Sequence, residues 1–137
     1  MNRFVLFFPL LVLGSSLGAE STGKDLFAEN CVLCHGTVGR GDGPKAGELG
    51  TPPPDLTKIA ERRDGVWPML EIMSIIDGYS RNTLPREDMP VFENFLDNDM
   101  VEFDTGNGVE VLVPSKLVEI VNYLEELQDP APERYVP

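Results

Sequence analysis

Histidine and tryptophan occur once each in this 137-residue chain, and cysteine twice. The two cysteines, Cys31 and Cys34, stand three positions apart. A disulfide framework for a small domain uses more cysteines, set farther apart, so this pair does not staple distant segments. Basic residues are also scarce, 11 Lys and Arg against 23 Asp and Glu, for a formal net charge of −12. That balance excludes nucleic acid and anionic lipid surfaces as partners. It favours a partner with a basic docking face, although solubility alone would also account for it. Long apolar runs are missing after the first residues, and a bilayer needs roughly 20 such residues in succession. There is no internal repeat and no sign of a second domain.

What is present begins with a leader. Arg3 is followed by an apolar run over residues 4–13 and by small residues from Gly14 to Ala19, the layout of a cleaved secretory signal. Cleavage is expected after Ala19, with Gly18 next, and the mature protein is expected in the periplasm with no stable membrane insertion. No cysteine closes the apolar run, which argues against a lipid anchor. Residues 20–137 are expected to form one domain of ordinary size. Pro130 and Pro132 suggest a loose tail from about residue 129.

Ser21 or Thr22 can cap a helix that carries Asp25 in its first turn, runs through Leu26 and Phe27 into Cys31–His35, and ends at Gly36. Residues 36–57 hold many glycines and prolines and little periodicity. A loop of that length in a small domain usually wraps something. Residues 66–77 read as a helix with Pro68 in its first turn, an apolar face of Leu70, Ile72, Met73 and Ile76, and Gly78 just past its end. Phe92, Phe95 and Leu96 suggest a short helical turn. Val101-Glu102-Phe103 and Val109-Glu110-Val111 flank a Gly- and Asn-containing turn, a hairpin pattern. A last helix starts at Ser115 with a stripe of Leu117, Ile120, Val121, Leu124 and Leu127.

Cys31-Val32-Leu33-Cys34-His35 has the C-x-x-C-H form of a c-type haem attachment site. Two thiols at that spacing near a helix end can each reach one vinyl group on one porphyrin edge, and the next residue falls beneath the iron. A thioredoxin-like pair needs a preceding strand that is absent. Zinc wants four ligands, and the motif supplies three. A bare disulfide leaves His35, the only histidine, without a role.

With these residues in place the sequence resembles the class I cytochrome c family over most of residues 22–128. The resemblance rests on Gly23-x-x-Leu26-Phe27-x-x-x-Cys31-x-x-Cys34-His35-Gly36, on Pro54-Asp55-Leu56, on Met89-Pro90-x-Phe92, and on the last helix around Tyr123-Leu124. It implies an all-α shell around one haem c held by Cys31 and Cys34, with long loops and here a small β-hairpin before the last helix. It further implies that Gly23 and Phe27 meet Tyr123 where the first and last helices cross, and that the carbonyl of Pro54 accepts from Nδ1 of the proximal ligand His35, with Pro44 as the rival acceptor.

For the sixth iron position the chain offers Met69, Met73, Met89 and Met100. Met69 and Met73 fall on the expected middle helix, where methionine usually fills core. Met89 lies in an irregular loop, is followed by Pro90 and matches the family's ligand position. Leu56 is expected to pack on the haem, and Trp67 to fill core or to donate to a haem propionate. Residues 94–113 exceed the smallest family members and offer either a docking element or a cover for a haem edge. The Gly39-Arg40-Gly41-Asp42-Gly43 stretch completes neither a phosphate nor a calcium pattern and reads as a turn.

These expectations describe a non-enzymatic one-electron carrier with a closed His/Met haem, serving redox partners with a basic docking face. Two other readings stand beside it. One is a dedicated haem subunit of a periplasmic oxidoreductase complex. The other is a five-coordinate gas-binding or peroxidase-like haem protein.

Overall fold

The computed structural model describes residues 22–79, 88–96, 98–105 and 108–136. The expected leader over 1–19, Ser21, Pro85 and the hairpin tip at 106–107 lie outside them.

The first helix, α1 (Gly23–Asn30), opens on a capping box. Thr22 receives the Asp25 N–H, and the Asp25 carboxylate receives the Thr22 N–H, so two backbone donors that a helix start leaves over are paired. After Cys31 the short α2 (Val32–His35) follows. The last helix, α4 (Ser115–Glu126), buries Leu117, Ile120, Val121 and Leu124, the stripe its sequence presents. α1 packs on α4. A Cβ on Gly23 would stand 2.0 Å from the Glu119 carbonyl oxygen and 2.8 Å from the Tyr123 Cβ, so only glycine permits that approach. Phe27 meets the Tyr123 ring at 5.5 Å between centroids.

The middle of the chain differs from the sequence expectation. Residues 66–77 are not one helix. Val66–Pro68 form strand β1, and the helix proper, α3 (Met69–Ile76), begins after Pro68. Ile72, Met73 and Ile76 of α3 face the core, and Gly78 follows at φ 83°, as a residue just past a helix end often does.

The hairpin is present as antiparallel β2 (Met100–Asp104) and β3 (Glu110–Pro114), with Val101 opposite Val113 and Phe103 opposite Val111. Phe92 and Phe95 stack at 5.3 Å beside the 3₁₀ turn Glu93–Phe95. Ser115 is the first residue of α4 rather than its side-chain cap. Its hydroxyl and its N–H both bond Asp99, at 2.5 and 2.8 Å.

The tail is also a correction. Instead of lying loose from 129, residues Arg134–Val136 form β4, which pairs in parallel with β1 and sets Tyr135 beside Trp67. The N–H groups of Glu133 and Arg134 donate to the Gly65 carbonyl at 2.9 and 3.1 Å. Among the described residues the architecture is therefore mostly helical with two small sheets, one expected and one not. Trp67, Phe27, Phe95, Ile120 and Val121 are the largest fully buried side chains, each of the size whose burial contributes about 1.5–3 kcal/mol.

Candidate functional site

α1 delivers the chain to Cys31, whose N–H still donates to the Phe27 carbonyl at 2.9 Å. The N–H groups of Cys34 and His35 both return to the Cys31 carbonyl, at 3.2 and 2.8 Å. Gly36, at φ 77°, then turns the chain out of the helix. A helix end leaves carbonyls without partners, and the following loop supplies them. Lys45 N–H donates to Leu33, Gly43 N–H to Cys34 and Gly41 N–H to His35, at 2.9, 3.1 and 2.9 Å.

The loop thus folds back along the motif, and glycine makes this possible. A Cβ on Gly43 would stand 2.5 Å from the Leu33 carbonyl oxygen. One on Gly41, at φ 77°, would stand 2.3 Å from that of Pro53. The Leu56 N–H donates to the Gly39 carbonyl at 2.7 Å. Residues 53–56 are in this way drawn against the loop that covers His35.

His35 is buried, with 8% of its surface exposed. Burial lowers its pKa below the usual histidine value, so the ring is held neutral, the form that ligates metal. The Pro54 carbonyl opposes that shift as an acceptor. Proline has no N–H, so acceptance is its only backbone role. The contact falls short of a full hydrogen bond, since Nδ1 of His35 is buried without a hydrogen-bond partner.

The Cys31 thiol is pushed up to about 12, first by burial and then by neighbouring Cys34, which keeps it protonated. The two thiols are not joined to each other. Among the described residues, no three His, Cys, Asp or Glu side chains are grouped so as to hold a metal ion.

Leu56, Met69, Leu70 and Met89 are half-buried and pack, with Cys31, on the buried core. Met73 lies inside that core, while Met100 is 43% exposed on β2. Trp67 is wholly buried, and its Nε1 donor has no partner.

A haem needs a neutral imidazole, two unpaired thiols, an apolar lining and donors for its carboxylates. The motif supplies the imidazole and the thiols, Cys31 packs on the same apolar core as Leu56 and Met89, and the Trp67 Nε1 is a buried donor. The unpartnered Nε1 of Trp67, costly in a finished core, is consistent with a site built for a further group.

A family model described as Cytochrome c matches residues 20–103. The chain belongs to the cytochrome c family. Members of this family bind haem c and are typically electron-transfer proteins, and the mostly helical fold agrees with the family. No curated protein and no solved structure matches the chain. Among the described residues no helix is long and apolar enough to cross a membrane.

One residue of the cytochrome's site gave no usable signal in the sequence. Gln128 follows the last helix, where a polar residue usually faces water, yet it is 7% exposed. Its Oε1 accepts the Ala60 N–H at 3.0 Å, and its Nε2 donates to the Leu56 and Leu124 carbonyls at 2.8 and 2.7 Å. It fastens the segment after Pro54 to α4.

Proposed function

We propose that the protein is an exported, periplasmic one-electron carrier that holds a single haem c covalently through Cys31 and Cys34, with His35 and Met89 as axial ligands. The observation that carries this reading is the buried, neutral His35 beside two unpaired thiols on one helical turn. When bound, the haem supplies a single-electron ferric/ferrous couple.

The chain's own residues do the rest. Cys31, where α1 meets α2, and α2 itself hold both thiols and the imidazole in fixed register, and the loop from Gly39 to Lys45 locks that register by bonding the carbonyls at its end. The Pro54 carbonyl, beside the His35 ring, would accept from its Nδ1 and orient it toward the iron. Leu56 and the neighbouring apolar side chains exclude water. Met89 would offer a thioether to the iron, which would favour the ferrous state and raise the potential. Trp67 fills core, and its unpartnered Nε1 would be the donor to a haem carboxylate.

The exposed hairpin favours one companion reading, a haem subunit bound within a periplasmic oxidoreductase complex. Size-exclusion chromatography from the native source separates the two, because a free carrier elutes alone.

Optical spectra of the mature protein, made in a host with haem-attachment machinery, test the assignment. Low-spin ferric and ferrous bands, a weak far-red band and no response to carbon monoxide are expected. Met89→Leu should abolish the far-red band and open the iron to carbon monoxide, whereas Met69→Leu should do neither. Cys31→Ala together with Cys34→Ala should leave no haem attached after denaturation. A high-spin ferric wild type that binds carbon monoxide readily would overturn the closed His/Met assignment.

A further inference from the structure

The described surface does not spread its large apolar side chains evenly. Leu96, Met100, Val101, Val109, Val111 and Leu112 are exposed within one short stretch. The register of the hairpin divides them, with Val101 and Val111 at the margins of the face that carries Phe103 and Val113. Phe103 and Val113 face inward, half-buried, with Phe103 packed on the core. On the other face stand Met100, 43% exposed, and Leu112, 63% exposed, with Glu102 directly opposite Leu112 and Glu110 one pair along. From residue 93 to residue 114 the chain contains no lysine or arginine. An apolar spot inside an acidic margin is the layout of a small docking surface, a dry centre with a charged rim.

The chemistry selects the occupant. A second copy of this chain would bring the same acidic margin and a net charge of −12 of its own, and an anionic lipid surface would be repelled in the same way. A protein face with basic residues around an apolar centre complements both parts.

We propose that the outer face of the β2–β3 hairpin, centred on Met100 and Leu112 and rimmed by Glu102 and Glu110, is the surface by which the protein docks a basic redox partner. The inference rests on the electron-carrier reading and names where the carrier meets its partner. The acidic rim steers and orients the encounter. The apolar centre supplies contact without ion pairs, so the complex forms quickly and separates quickly, as a carrier requires.

The test uses the mature haem-loaded protein and, as probe, a lysine-rich mitochondrial cytochrome c of net positive charge, titrated while backbone amide shifts are followed. At about 10 mM salt the shifts should concentrate on residues 100–104 and 110–114, and at about 200 mM they should fade, because screening shortens the reach of the rim charges. Glu102→Gln with Glu110→Gln should weaken binding by about three- to tenfold. The control pair Glu29→Gln with Glu48→Gln, which changes net charge equally, should weaken it less than about twofold. Leu112→Ser should weaken binding while leaving its salt dependence unchanged. Equal losses in the two charge pairs, an inert Leu112→Ser, or shifts gathered on Leu33 and Val38 instead would each overturn the proposal. Because amide shifts do not report on electron transfer, failure of the carrier reading would show separately, as ready carbon monoxide binding by the reduced haem with the hairpin shifts intact.

Discussion

Gln128 shows how much one side chain can hold when it is buried and fully bonded. Its three hydrogen bonds reach two separate stretches, residues 56–60 and the end of α4. Gln128→Ala strands a buried N–H and two carbonyls, and an unsatisfied buried group costs about 1–3 kcal/mol. The urea midpoint of the variant should fall accordingly, and Gln128→Glu should recover less than half of the loss because a carboxylate cannot donate to Leu56 and Leu124.

Asp55 acts through charge at the same place. Its carboxylate accepts from the Thr57 hydroxyl and N–H at 2.6 and 2.8 Å. Those bonds, led by the hydroxyl and helped by Arg40 and Arg62, hold its pKa below the ordinary 3.8. A depressed carboxylate contributes stability above its unfolded pKa and loses it as pH falls through the folded value. Denaturation midpoints followed downward from about pH 5 should therefore drop less steeply for Asp55→Asn than for the wild type.

At the scale of elements, the unexpected β1–β4 pairing makes the tail part of the fold. Ending the chain at Pro132 removes two N–H donors to Gly65 and the strand beside Trp67. At about 0.5–1.5 kcal/mol for each hydrogen bond, urea denaturation should report a loss of about 1–3 kcal/mol. A truncated chain as stable as the full one would show the pairing to be incidental.

This pairing also marks the limit of what the sequence discloses. Thr22 with Asp25, Gly36, the α4 stripe and the hairpin are written locally, in neighbours three to ten positions apart, and all four are legible. The helix-crossing glycine, Gly23, became legible through the family pattern. Val66-Trp67-Pro68 reads as a helix start because proline suits a first turn, and the partner that makes it a strand stands at Arg134–Val136, in a stretch too short to carry a periodicity. Gly41 and Gly43 read simply as turn residues, since the carbonyls they must approach are brought near only by the fold. Gln128 was hidden for the same reason.

For the whole molecule, the dominant quantity is charge. With 23 acidic and 11 basic residues, association with cations is faster than with anions, and screening shrinks the difference. Oxidation of the reduced protein by a cationic ruthenium ammine should slow as salt is raised, while oxidation by ferricyanide should quicken. Stopped-flow traces at several ionic strengths check both slopes, and parallel slopes for the two oxidants would refute electrostatic steering.

The bonds that tie the tail region to residues 56–64 join positions 68 to 72 apart: Ala60 to Gln128, Asp64 to Arg134, Lys58 to Asp129 and Leu56 to Gln128. Contacts of such separation form late, since a long loop must close before they reward it. The latch therefore closes late in folding, and until it does the segment beside Cys31, Cys34 and His35 stays unfastened.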